Sequence, residues 1–307
     1  MTTSGWRSRS AWPLGAPRRA SAALVLGVLT LMVSHAWAQP SSEDAVERGE
    51  YLFKAAACAS CHTPDDDGAP PLAGGRPFDT PFGTLYSSNI TQDPDTGLGR
   101  WTEADLRRAL RLGLSPRGRH YYPAFPYTSY RFLTDADIAD LWAYLQTLDP
   151  VAKRTPEPQL RLPFSWRPLL WVWKGLYLDG ARAAPPPTQT RGAYLAQAVM
   201  HCGECHTPRD RLGGLKYDLY LAGSDHGVEF EPAPNITSHR EDGIGAWRLD
   251  DLVFFFEIGM LPNGDFVGGS MTEVIDQGTS QLTDADRRAL AEHLQGVEPV
   301  PAPDDPQ

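Results

Sequence analysis

Cysteine is scarce in this 307-residue chain. There are four, and none is left over after Cys58-Ala-Ser-Cys61-His62 and Cys202-Gly-Glu-Cys205-His206. A chain-spanning disulfide framework is therefore excluded, because structural disulfides rarely close two-residue loops. Methionine is nearly as rare: five residues, with none between Met32 and Met200. The apolar run at 20–34 falls short of the roughly 20 residues that a membrane-spanning helix needs. Basic residues are outnumbered, 28 against 38 acidic ones, which argues against a nucleic-acid partner. No serine–histidine–acid arrangement, phosphate loop or dinucleotide fingerprint is present.

What the chain does have is the C-x-x-C-H run, twice. In this pattern the two thiols add covalently across the vinyl groups of a haem, and the histidine becomes an axial ligand to its iron. Alone, C-x-x-C fits a redox dithiol or half of a zinc site. A histidine directly after the second cysteine, repeated, favours two covalently bound c-type haems, held by Cys58, Cys61 and His62 and by Cys202, Cys205 and His206.

The N-terminus agrees with that chemistry. Arg7, Arg9, Arg18 and Arg19 form a basic region without acidic residues, followed by the apolar run and by Ala36-Trp37-Ala38, a small-x-small cleavage pattern. Residues 1–38 read as a cleaved signal peptide and the address as the bacterial periplasm, where c-type haem is attached. The mature chain would carry 24 basic and 38 acidic residues, a net charge of −14. Such a chain makes a poor match for anionic membranes, so membrane association is expected only through a partner, and it suits docking onto a basic patch of a redox protein.

The chain also repeats itself. The haem motifs recur at an offset of 144 residues, which becomes 146 further on: Asn89-Ile90-Thr91 maps onto Asn235-Ile236-Thr237, Trp101 onto Trp247, and Gly113-x-x-Pro116-x-Gly118 onto Gly259-x-x-Pro262-x-Gly264. Each copy reads as a small helical domain. A first helix over about 43–57 leads into the haem motif, and Thr102-x-x-Asp105 and Thr134-x-x-Asp137 open later helices as capping boxes. The expectation is an all-α fold of two tandem domains at 39–150 and 191–298. A linker rich in proline and tryptophan (151–190) joins them, and a polar tail (299–307) follows. The aromatic run of the linker, between 162 and 178, is expected to pack between the domains, with a docking surface as the other reading.

Ser87-Ser88-Asn89-Ile90-Thr91, the stretch from Gly113 to His120, Tyr122-Pro123-Ala124-Phe125-Pro126-Tyr127 and His201-Cys202-Gly203-Glu204-Cys205-His206-Thr207-Pro208-Arg209 resemble one family. It comprises the cytochrome c subunits of quinoprotein alcohol dehydrogenases and of flavoprotein gluconate, sorbitol, fructose and aldehyde dehydrogenases. The resemblance implies class I cytochrome c domains and a periplasmic dehydrogenase as electron donor. It also implies a small cytochrome, quinone or oxidase as acceptor. It places Trp101 and Trp247 at the haem crevice, with Asn89 and Asn235 in its loop, and Met271 at the distal methionine. Met260, on an apolar segment, fits the core better.

The first copy departs from this pattern. At the same offset Met271 maps onto Phe125, which cannot bind iron. Three readings stay open: His120 supplies a sixth ligand, another donor (Tyr121, Tyr122, Tyr127 or Lys153) does so, or Phe125 simply fills the distal side. An open first haem would also permit a peroxidase-like dihaem enzyme, the alternative to electron transfer.

Overall fold

The computed structural model describes residues 42–64, 66–225 and 231–303. The proposed signal peptide, Asp65 and the last four residues of the tail lie outside them. The described residues cluster into one compact unit.

In the first half, α1 (Ser42–Ala55) runs into α2 (Cys58–His62), the haem motif itself. Ala57 sits between them in the left-handed region, at φ 48°, a turn that separates the two helices. A hairpin, β1 (Pro77–Thr80) and β2 (Gly83–Tyr86), precedes α3 (Glu103–Leu112), α4 (Tyr127–Tyr130) and α5 (Asp135–Leu145). Strand β3 (Gln159–Leu160) then pairs antiparallel with β2, and α6 (Leu169–Tyr177) follows. The second half repeats the scheme. The short α7 (Arg191–Tyr194) continues as a π turn over Leu195–Val199 into α8 (Gly203–His206), and then come α9 (Leu249–Ile258), α10 (Ser270–Gln277) and α11 (Asp284–Gln295).

The fold is mostly helical, as expected. The three-stranded sheet β1-β2-β3 is an addition to the all-α expectation. Its pairing needs residues on both sides of the first half, and short strands without apolar alternation leave no local signal.

Both halves cross their first and last helices at a glycine. A Cβ on Gly49 would lie 2.0 Å from the carbonyl oxygen of Asp140, and one on Gly192 would lie 2.0 Å from that of Ala289. Only glycine lets the two backbones approach so closely. The interior around these crossings is apolar, with Ile138, Leu145, Leu195, Leu252 and Leu290 buried in one continuous cluster.

The linker helix α6 bridges the halves. Its inner face buries Lys174, which donates to Leu112 O (2.6 Å) and Gly113 O (2.8 Å) at the end of α3. Tyr177 Oη donates to Asp210 Oδ2 (2.5 Å), and Trp173 Nε1 to Leu212 O (3.0 Å). So part of the aromatic run packs as expected. Trp166 and Trp171 do not: they are 60% and 72% exposed.

Candidate haem sites

The two motifs sit in near-identical surroundings. His62 Nδ1 lies 2.7 Å from Ser88 O, and His206 Nδ1 lies 2.7 Å from Pro234 O. A carbonyl oxygen can only accept, so each ring carries its proton on Nδ1 and presents the Nε2 lone pair. Burial pushes both imidazoles below their ordinary pKa, the carbonyl contact opposing it, so the ligating neutral form is favoured. Gly74 N–H donates to His62 O (2.8 Å), as Gly223 N–H does to His206 O (2.9 Å). Thr63 Oγ1 accepts from Leu72 N–H (3.1 Å), as Thr207 Oγ1 does from Leu221 N–H (3.0 Å).

The cysteines do not suit the rival chemistries. All four are free of disulfides, and burial pushes the Cys58 and Cys202 thiols up to about 12. A redox dithiol needs its pKa lowered instead. Among the described residues no three His, Cys, Asp or Glu side chains converge as a metal-binding group.

The surroundings do suit a haem. Tyr127 Oη, Tyr220 Oη and His120 Nδ1 are buried without a protein partner, and such atoms call for a polar group to satisfy them. Haem carboxylates are of that kind, and the C-x-x-C-H donor set fits covalent attachment.

Asn89 and Asn235 spend their amides on the chain. Asn89 Nδ2 donates to Val151 O (2.8 Å) while Oδ1 accepts from Thr91 N–H (2.9 Å). Asn235 Nδ2 donates to Val300 O (2.7 Å), and Oδ1 accepts from Thr237 N–H (2.8 Å). Each asparagine thus ties its loop to the segment leaving the last helix of its half. Trp101 and Trp247 pack against the core, the latter edge-on to Phe255 at 5.6 Å.

The distal loops keep the register inferred from sequence. Leu114 bridges His120 in the first half as Met260 bridges Phe266 in the second, an offset of 146 residues at both positions. Met271 lies inside α10, whereas its counterpart by the same sequence offset, Phe125, precedes α4. Phe125 is boxed by Tyr121, Tyr127 and Tyr130, with centroids 5.6, 6.3 and 5.8 Å away. His120 sits at the register of Phe266, which is 61% exposed, and Arg167 donates to its carbonyl (2.7 Å).

Comparison with known proteins agrees with this geometry. Residues 46–149 match the cytochrome c family model. A dihaem cytochrome c-type protein of Cereibacter sphaeroides is 44% identical over 260 residues, covering 81% of this chain and 85% of that protein. This chain belongs to the cytochrome c family. As a cytochrome c it is a haem-bearing electron-transfer protein. The fructose dehydrogenase cytochrome subunit of Gluconobacter japonicus is 38% identical across 91% of this cytochrome. The gluconate 2-dehydrogenase cytochrome c subunit of Pantoea cypripedii is 37% identical across 90%. The cytochrome spans 60% and 64% of those two proteins' lengths. These relatives lend no support to the peroxidase-like alternative, which is set aside. Among the described residues no helix is long and apolar enough to cross a membrane.

Several residues that organise the sites were not foreseen. Tyr51 and Tyr194 reach across from one half to the other, as do Arg76 and Glu204. Arg76 Nη1 donates to Ser60 O (2.6 Å), inside the first motif, and to Glu273 Oε2 (2.7 Å) on α10. Glu204, inside the second motif, accepts from Thr128 Oγ1 (2.8 Å) and Ser129 Oγ (3.0 Å). Each distal segment therefore leans on the haem motif of the other half. Only the 3D pairing of the repeats reveals this.

Proposed function

We propose that this chain is a periplasmic dihaem cytochrome, exported by the leader at 1–38. Two tandem class I domains, at 39–150 and 191–298, carry one haem each. The cytochrome takes electrons from a dehydrogenase and passes them to a small cytochrome, quinone or oxidase. The observation that carries this reading is the duplicated histidine geometry, with Nδ1 tied to a carbonyl and Nε2 free at both motifs.

In this reading Cys58, Cys61, Cys202 and Cys205 form the thioether links, and His62 and His206 are the proximal ligands. Met271 is the sixth ligand in the second domain. A bound haem supplies one-electron chemistry at iron, and the protein sets its orientation and axial field. The carbonyls of Ser88 and Pro234 fix the imidazole tautomer and strengthen the histidines as donors. Phe125, held in its tyrosine box, leaves the first site without a sixth side-chain ligand. His120 stays at the rim of that site as a hydrogen-bonding residue, half-buried with its Nδ1 in need of a partner. Asn89 and Asn235 hold the crevice loops, and Trp101 and Trp247 stiffen them.

Intact-mass measurement on protein matured with a c-type haem assembly system tests the cofactor count. The expected mass exceeds the polypeptide by two haems and falls by one in a Cys58→Ala/Cys61→Ala variant. A single haem in the unmodified protein would contradict the reading.

A further inference from the structure

The same face of the fold occurs twice in this molecule, and the two copies differ in charge and in cover. In the first half the face runs along α3 to the loop ending at His120. Residues 102–120 carry five arginines and two acidic residues, a net charge of +3. The equivalent residues 248–266 carry one arginine and four acidic residues, a net charge of −3. Position by position, Arg108 becomes Phe254, Arg111 becomes Glu257 and Arg119 becomes Asp265.

The cover differs as well. Helix α6 covers the end of the first copy, although Leu112, at the register of Ile258, stays 46% exposed: Lys174 caps the carbonyls ending α3, and Arg167 donates to His120 O while lying 4.6 Å from the Tyr122 ring. In the second half residues 296–303 run elsewhere, along Thr237 and Asp242. Among the described residues no counterpart of α6 lies over α9. Phe254, Ile258 and Phe266 stand 40%, 43% and 61% exposed, with Glu257 and Asp265 exposed beside them, Glu257 lying 3.5 Å from Arg287 Nη1. Phe254 and Ile258 are one helical turn apart on α9. Phe266 joins them through the loop that closes on Gly259, where Val267 N–H donates to Gly259 O (3.0 Å). That loop leads directly to Met271.

An apolar centre with a charged rim at the mouth of a redox site is the form of a transient docking surface. We infer that Phe254, Ile258 and Phe266, rimmed by Glu257 and Asp265, dock a basic electron-transfer protein, which exchanges electrons with the haem of the second half. The occupant is argued from charge complementarity: the acidic rim selects a lysine- or arginine-rich partner. The first half, basic and covered by α6, does not compete for it. This inference rests on the proposed electron-transfer role and names the exit.

Stopped-flow oxidation of the reduced holoprotein by a basic mitochondrial-type cytochrome c, at low and high salt, tests it. Binding is measured in parallel by calorimetry. The rate should fall as salt rises. Glu257→Lys/Asp265→Lys should slow it at least about tenfold at low salt and flatten the salt dependence. Phe254→Ser/Phe266→Ser should weaken binding several-fold at every salt concentration. Glu43→Lys/Glu47→Lys makes the same change in net charge on the exposed side of α1 and should leave the rate within about twofold. An equal loss in that control, unchanged patch variants, or an unmodified protein that does not bind the basic probe would each overturn the inference. Ferricyanide, a small high-potential oxidant that needs no docking surface, separates the two readings. If it too fails to reoxidise the protein, the electron-transfer role itself is at fault.

Discussion

Tyr51 Oη donates a 2.6 Å hydrogen bond to Asp286 Oδ2, 235 residues away, and accepts one from Thr283 N–H at 3.3 Å. Tyr194 Oη does the same in reverse, donating to Asp137 and accepting from Thr134 N–H (3.0 Å). Each tyrosine enters the first turn of the other half's last helix. It takes the place that the carboxylate would fill in a closed capping box. The caps that open the last helix of each half are therefore among the bonds that join the halves in space. Tyr51→Phe or Tyr194→Phe takes one partner from a half-buried carboxylate and one from an amide near the surface. Each should cost about 0.5–1.5 kcal/mol, measured by denaturant unfolding. Costs near zero would mean that the other contacts between the halves, such as Arg76–Glu273, hold them without the tyrosines.

The same joint has a pH signature. Arg191, and then Tyr51, hold the Asp286 carboxyl below its ordinary value against burial. A carboxyl lowered on folding stabilises the protein above the usual carboxylate range, and that contribution is lost as pH falls through its folded value. Asp286→Asn should flatten the acid limb of stability against pH. An unchanged acid limb would assign acid unfolding to other carboxylates.

Lys174 should act at the other end of the scale. Burial lowers it to about 8. The charged form is thus disfavoured in the folded state, so stability rises with pH between about 8 and the ordinary lysine value of 10.5. Lys174→Met should abolish that alkaline gain. If the gain survives in the variant, another buried base is responsible.

The distal positions invite an exchange. Met271→Ala should remove the His/Met signature of the second haem and lower its potential while leaving the first unchanged. Phe125→Met should create a second His/Met signature, because the 146-residue sequence offset aligns the two residues. Failure of Phe125→Met to change the spectrum would mean that the tyrosine box holds position 125 away from the iron.

The helix crossings are the least tolerant positions. Gly49→Val or Gly192→Val drives a side chain into backbone carbonyl atoms. Each should cost roughly 3 kcal/mol or more, read as a fall in Tm of the holoprotein.

How much of this was legible in the sequence depends on range. The motifs Cys58–His62 and Cys202–His206, the Thr102–Asp105 cap and the Phe125 substitution are local or follow from aligning the chain with itself. The capping box at Thr134 was half visible: Thr134 accepts from Asp137 N–H, but nothing nearby announces that Tyr194 intervenes. Strand β3 is two residues long and meaningful only beside β2. Lys174 is a single charge within the aromatic run, and its burial follows from where α3 happens to end. Trp166 and Trp171 carried the opposite ambiguity, since hydropathy cannot say which face of α6 the protein covers.

Low-temperature EPR of the oxidised holoprotein, with haem stoichiometry on the same sample, tests the central claim most directly. Two haems with unlike distal sides should give one low-spin His/Met signal and one high-spin ferric signal. The high-spin signal should disappear in Cys58→Ala/Cys61→Ala. Two low-spin signals would contradict the account and place a strong sixth ligand, His120 or another donor, on the first haem.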